Sequence, residues 1–148
     1  MQAKGKNKSS SPPKPPLTRS EIMARVRSKN TSPEVLIRSA LHRAGLRFRI
    51  HRKDLPGNPD IVFPSRRIAL FVNGCFWHQH PGCKRATIPA SSREYWEKKL
   101  LRNSERDAAN HAVLQSDRWR VVVVWECEIN SEIIDLLIEE IKSTSPMD

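Results

Sequence analysis

Acid is scarce in this sequence: 16 Asp and Glu face 26 Lys and Arg, a formal charge of +10. An excess of that size draws in polyanions with a strength that salt erodes, so nucleic acid is the leading partner. Long apolar runs are missing as well. Ile68–Val72 and Val121–Trp125 have the length of strands and fall far short of the roughly 20 residues a helix needs to cross a bilayer, which excludes helical membrane spans. The N-terminal residues are charged and have no apolar stretch of signal-peptide type behind them, so a cytoplasmic protein is the expectation. Cysteine is limited to Cys75, Cys83 and Cys127. Three thiols cannot all pair within one chain, and in a reducing compartment a metal site is a better use for them than a disulfide.

What is present reads as one domain with a tail, because 148 residues bury one respectable core and no second one. Residues 1–17 hold four lysines, four prolines and no acid, a composition that cannot pack, and are expected to be a disordered basic tail, either an inert leader or an arm that grazes DNA. Residues 18–148 form the domain. Thr31-Ser32-Pro33-Glu34 predicts a helix start, with Thr31 and Glu34 as a reciprocal capping box, and Leu36, Ile37, Ala40, Leu41 and Ala44 continue it on one face to Gly45. Leu46, Phe48 and Ile50 alternate with Arg47 and Arg49 as in a half-buried strand. Ile61–Phe63 and Ile68–Val72, joined by Pro64-Ser65-Arg66-Arg67, predict a hairpin. A long helix over 92–116 follows, then a strand over Arg120–Trp125 of the kind buried on both faces. A last helix, about Ser131 to Lys142, carries Ile134, Leu137, Ile138 and Ile141 on one side. This order predicts an α/β fold, a mixed sheet flanked by helices.

Two constellations carry chemistry. The segment Val72–Cys83 packs two cysteines, two histidines and two aromatic residues into twelve positions, poor material for a core. Cys75, His80 and Cys83, joined by Cys127 from the end of the distant strand, would supply three sulfurs and one nitrogen to a structural zinc ion; buried free cysteines are the competing reading. Asp60, after Pro59 and at the start of a strand, can offer carboxylate oxygen to a magnesium ion of the kind phosphodiester hydrolysis uses, although Asp after Pro is also ordinary turn chemistry.

In combination these segments resemble the very short patch repair (Vsr) DNA mismatch endonucleases. The likeness covers about residues 18–128 and rests on five blocks in order: Thr18-Arg19-Ser20, Thr31-Ser32-Pro33-Glu34, Leu55-Pro56-Gly57-Asn58-Pro59-Asp60, Gly74-Cys75-Phe76-Trp77-His78 and Trp119–Cys127. The resemblance implies a restriction-endonuclease-like fold and Mg²⁺-dependent nicking of one strand on the 5′ side of the thymine in a T·G mismatch, the lesion left when 5-methylcytosine deaminates. By the same resemblance Asp60 and the backbone carbonyl of Val72 hold the magnesium, and His78 acts on the attacking water. Glu34 orders the metal-bound waters, a role its capping box would compete for. Phe76, Trp77 and Trp96, with Met23 from the minor-groove side, wedge beside the mismatch, where a flat apolar side chain replaces lost stacking. Trp96 can equally be a core residue of its helix. Mismatch-repair proteins and a cytosine-5 methyltransferase are the implied partners, and a monomer is expected.

The sequence departs from the family pattern at three points. Asn73 stands where well-studied members carry a second active-site histidine, and an amide takes no proton at neutral pH. Cys83 is displaced by one residue through Pro81-Gly82, which a turn should absorb. Arg118 stands where a glycine is usual. Two further readings stay open beside mismatch nicking: a restriction-type or less selective nuclease of the same fold, and a zinc-stapled protein that binds distorted duplex without cutting.

Overall fold

In the computed structural model the described residues are 12–26 and 29–147. Most of the expected tail lies outside them; residues 12–17 carry no regular structure. The helices are α1 (Arg19–Ala24), α2 (Ser32–Arg43), α3 (Arg93–Ser116) and α4 (Ser131–Ser143), and the strands β1 (Arg49–Ile50), β2 (Ile61–Phe63), β3 (Ile68–Asn73) and β4 (Arg120–Trp125). The strands form one mixed sheet in the order β1-β2-β3-β4. β1, β2 and β3 run antiparallel in turn, and β4 lies parallel to β3, from Ile68 opposite Arg120 to Asn73 opposite Trp125.

The side-chain alternation of β3 sorts the layers. Ile68, Leu70 and Val72 join Ile37 and Leu41 of α2 and Leu137 and Ile141 of α4 on one face. Ala69 and Phe71 meet Leu114 of α3 on the other. A third cluster, Phe76, Trp96 and Leu100 with Met23, Trp77 and Ile88 against it, ties α1 and the loop after β3 to the start of α3. β3 is paired on both edges and covered on both faces, and its residues Ile68–Phe71 are all buried.

Three expectations are corrected. β4 is an edge strand in which only Val124 is fully buried; Val122 and Val124 pack on one face and Val121 and Val123 on the other, so its apolar run reflects helices above and below while one edge stays open. The strand expected from Leu46 is reduced to Arg49–Ile50, because Leu46 and Phe48 pack against the core without pairing their backbone and His51, at φ 50°, turns the chain away. The capping box at Thr31 does not form: Thr31 is the N-cap of α2 but makes no side-chain cap bond, and Glu34 points inward. A box does form one helix earlier. The Thr18 hydroxyl accepts the Glu21 N–H at 3.3 Å, and the Glu21 carboxylate accepts the Thr18 N–H at 2.8 Å.

Candidate active site

The chemistry gathers where β3 ends. Asp60 immediately precedes β2, and since Ile61 pairs with Leu70, the hairpin carries Asp60 beside the last residues of β3. There its Oδ2 accepts the Val72 N–H at 2.8 Å. Burial pushes the Asp60 carboxyl up from 3.8 to about 6, against the pull of the Val72 N–H, and the charge of Glu34 adds to the rise. Glu34 is 2% exposed, a carboxylate that must find partners inside the protein. Its Oε2 accepts the Asn30 N–H at 3.1 Å, and its Oε1 lies 2.5 Å from His51 Nε2 and 3.6 Å from Arg38 Nη1. These contacts replace the cap and turn the side chain toward Asp60. Donor atoms of Glu34, His51 and Asp60 lie within 4.8 Å of one another.

His78, in the loop after β3, faces the same cleft from the other side. Its Nδ1 lies 2.5 Å from Asp107 Oδ2 on α3. A carboxylate on Nδ1 keeps the proton there and leaves Nε2 to accept another. The cleft encloses about 730 Å³, and Met23, Phe76 and Trp77 form its apolar wall. Arg19, Arg85, Lys99 and Arg106 line it with positive charge. The Lys99 ammonium sits 5.3 Å from the Trp77 ring centre and 5.8 Å from that of Trp96. Phe76, Trp77 and Trp96 meet edge to face at 5.3–5.5 Å. Phe76, read from the sequence as poor core material, is 3% exposed, and Trp96 is 2% exposed with its indole N–H given to Ser20 Oγ at 2.5 Å. Trp77 and Met23 are half-buried at the cleft. Asn73 also lines the cleft and is 5% exposed.

One residue past Gly74 the second cluster begins. Cys75, His80, Cys83 and Cys127 place their donor atoms within 4.8 Å of one another. His80 Nδ1 is 3.7 Å from Cys75 Sγ and 3.3 Å from Cys127 Sγ. Zinc–sulfur and zinc–nitrogen bonds at tetrahedral angles give a sulfur–nitrogen edge of about 3.6 Å, so the donor set and its spacing fit zinc. The outer contacts also suit a metal ligand: Glu128 Oε1 lies 3.5 Å from the other ring nitrogen of His80, and Trp125 stacks on that ring at 4.3 Å. Burial pushes the Cys75 thiol up to about 12. Burial works in the same direction on Cys83, but the Arg85 N–H and contacts with His80, Cys127 and Cys75 outweigh it and bring that thiol down to about 7. The extra residue at Pro81-Gly82 is absorbed in a turn, with Gly82 at φ 72° and the Cys83 N–H bonded to the His80 carbonyl at 3.2 Å.

A family model described as DNA mismatch endonuclease Vsr matches residues 14–85. The Type II nicking enzyme V.XorIIP of Xanthomonas oryzae pv. oryzae is 56% identical over 115 residues, which cover 78% of this chain and 84% of that protein. The chain belongs to the Vsr family. Other relatives include the Type II nicking enzyme V.NmeAIP of Neisseria meningitidis, 40% identical over 129 residues (84% of this chain, 91% of the relative), and the DNA mismatch endonuclease Vsr of Escherichia coli, 40% identical over 112 residues (76% and 71%).

Within this Vsr-family chain the structure brings Glu34, Asp60, Val72, Asn73 and His78 to one cleft, with Met23, Phe76 and Trp77 on its wall. Trp96 is in the cluster behind that wall. Sequence reasoning missed His51 and Asp107. Asp107 carried no signal, being one charged residue among many on α3. His51 had none, because it follows a run of arginine alternation that reads as an outer strand face.

Proposed function

We propose that this DNA-nicking endonuclease cuts one strand of duplex DNA on the 5′ side of the thymine in a T·G mismatch, with magnesium at Asp60 and a structural zinc at Cys75, His80, Cys83 and Cys127. One observation carries the reading: a half-buried carboxylate, a histidine oriented by a second carboxylate, and an apolar wall all open on the same positively lined cleft. The cations attract the phosphate backbone, which makes binding fall with salt. Asp60 and the Val72 carbonyl would hold the magnesium, and Glu34 would order waters beside it. When bound, that ion offsets charge on the phosphate and lowers the pKa of an adjacent water. His78 Nε2 takes the proton as the water oxygen bonds to phosphorus, and the leaving oxygen departs with the electron pair of the broken P–O bond. Asp107 stabilises the imidazolium that results.

The aromatic cluster supplies the mismatch preference in this reading. A T·G step costs less to unstack than a matched one, and an apolar face inserted there recovers part of the stacking. Phe76 and Trp96 brace the group from behind, and Met23 and Trp77 present it to the base step. The fold then serves as a restriction-endonuclease-like scaffold for domain 18–148. The protein works as a cytoplasmic monomer, and a cytosine-5 methyltransferase and mismatch-repair proteins are its functional partners. Among the described residues no helix is long and apolar enough to cross a membrane.

End-labelled duplexes that differ only in one T·G or C·G pair test the reading, with Asp60→Ala alongside. A single magnesium-dependent nick 5′ of the mismatched T, absent from C·G duplex and from the variant, is the expected result. Equal cutting of both duplexes would favour the less selective nuclease. Mismatch-selective binding with no cut would favour the non-cutting protein, a reading that Asn73 supports because its buried amide cannot carry a proton.

A further inference from the structure

We propose that His51 is a donor in the cation site, so that Glu34, His51 and Asp60 hold a first-row transition cation in preference to magnesium. The inference rests on the reading above that Asp60 anchors a divalent cation, and it departs from that reading in which cation the donor set prefers.

The three donors arrive from separate pieces of chain: Glu34 from α2, His51 from just after β1, and Asp60 from just before β2. The His51 N–H bonded to the Asp60 carbonyl at 3.2 Å extends the β1–β2 pairing by one step and sets the two residues side by side. Their donor atoms and that of Glu34 fall within 4.8 Å of one another, the spread of ligands around one ion. A cation here would take the place of the proton that Glu34 Oε1 and His51 Nε2 share. Glu34 gives Oε2 to the Asn30 N–H, while its Oε1 faces His51 Nε2 with the Arg38 guanidinium at the margin. Asp60 gives Oδ2 to the Val72 N–H, and its Oδ1 has no protein hydrogen-bond partner among the described residues.

Two carboxylates and an imidazole do not make a set that favours magnesium. Magnesium keeps an octahedral shell of oxygen, mostly water, and gives up a water reluctantly to nitrogen. First-row transition cations accept imidazole, with affinity rising along the series from manganese(II). Manganese(II), the weakest binder of that series, is therefore the most demanding probe.

The test uses the full-length, zinc-loaded protein without DNA. Manganese(II) binding is followed by the loss of the free-ion electron paramagnetic resonance signal, and magnesium binding by competition. Manganese is expected to bind at least about tenfold more tightly than magnesium, and His51→Gln to lose about tenfold toward manganese while its magnesium affinity holds. Pulsed resonance on the manganese-loaded parent should show coupling to an imidazole nitrogen that His51→Gln lacks. His51→Asn, better suited to the left-handed backbone at this position, repeats the measurement should the first variant fold poorly. Manganese that is bound without nitrogen coupling and released by Asp60→Asn would overturn the role of His51 and leave an all-oxygen cation site. Manganese binding that Asp60→Asn does not weaken would overturn the cation site at Asp60 itself.

Discussion

Two clusters of ligating side chains meet at the end of β3, one on either side of Gly74, and they are built in opposite ways. The cysteine–histidine cluster draws three of its four members from the single segment Cys75–Cys83, and its donors face one another. The cleft draws Glu34, Asp60 and His78 from three places along the chain and backs them with His51 and Asp107 from two more, and the lining groups face open space. A set of soft donors closed on itself can only hold structure, whereas hard donors and a half-free imidazole around a cavity are left to act on something that enters. The difference implies that damage to one cluster should be read in stability and damage to the other in rate.

The largest test of that division is Asp60→Asn. Nicking should fall about a thousandfold or more, since the carboxylate proposed to hold the cation is gone. Stability should move the other way. A carboxyl raised to about 6 in the fold contributes stability that is present below its unfolded value of 3.8 and lost as pH rises through 6, so the ionised Asp60 burdens the metal-free fold at pH 7. The amide removes that burden, on the order of 2 kcal/mol. Thermal unfolding without divalent cations should show the variant more stable at pH 7 and the advantage gone near pH 4.

Cys127→Ser is the mirror case. Loss of the proposed zinc should cost about 4 kcal/mol or more, seen as a lower unfolding midpoint and as metal released to a chromogenic chelator. Nicking should fall with it, because the loop that the cluster closes also carries Phe76, Trp77 and His78. A variant that kept both its midpoint and its zinc would break the comparison outright. Asp107→Asn sharpens it: a rate loss of about a hundredfold with KM, DNA affinity and midpoint nearly unchanged is expected of a residue that acts through His78. The smallest effect belongs to neither cluster. Arg118 holds φ 65° between α3 and β4, a conformation that costs a side chain about 1–2 kcal/mol and glycine little. Arg118→Gly should therefore stabilise by about 0.5 kcal/mol in a denaturant titration, after glycine's own entropy cost is subtracted.

The same contrast explains what the sequence discloses. The cysteine–histidine set was legible because its members are rare residue types crowded into one segment, with one partner at the end of an evident strand. The hairpin was legible from two apolar runs about a short turn, and it brought Asp60 to Val72 as a matter of register. Asp107 and His51 were not, because each is a single common residue whose partner lies on another element, and no local period marks a contact made only in three dimensions. The apolar run of β4 was misread for a related reason: composition reports cover above and below a strand and is blind to whether a neighbour lies on each side. At Glu34 a correct local motif lost to a tertiary one, since a buried carboxylate with an imidazole, a guanidinium and a backbone amide to satisfy it has no reason to fold back on its own helix.

The parallel pairing of β3 with β4 also dictates when the molecule can come into being. Every cleft residue named here precedes β4 and Cys127 in the chain, yet β3 has no parallel partner and the loop after it lacks Cys127 until they are made. A chain that stops before β4 thus carries the cleft side chains without the frame that aligns them. The order of translation leaves this DNA-nicking enzyme without its aligning strand until β4 and Cys127 are made.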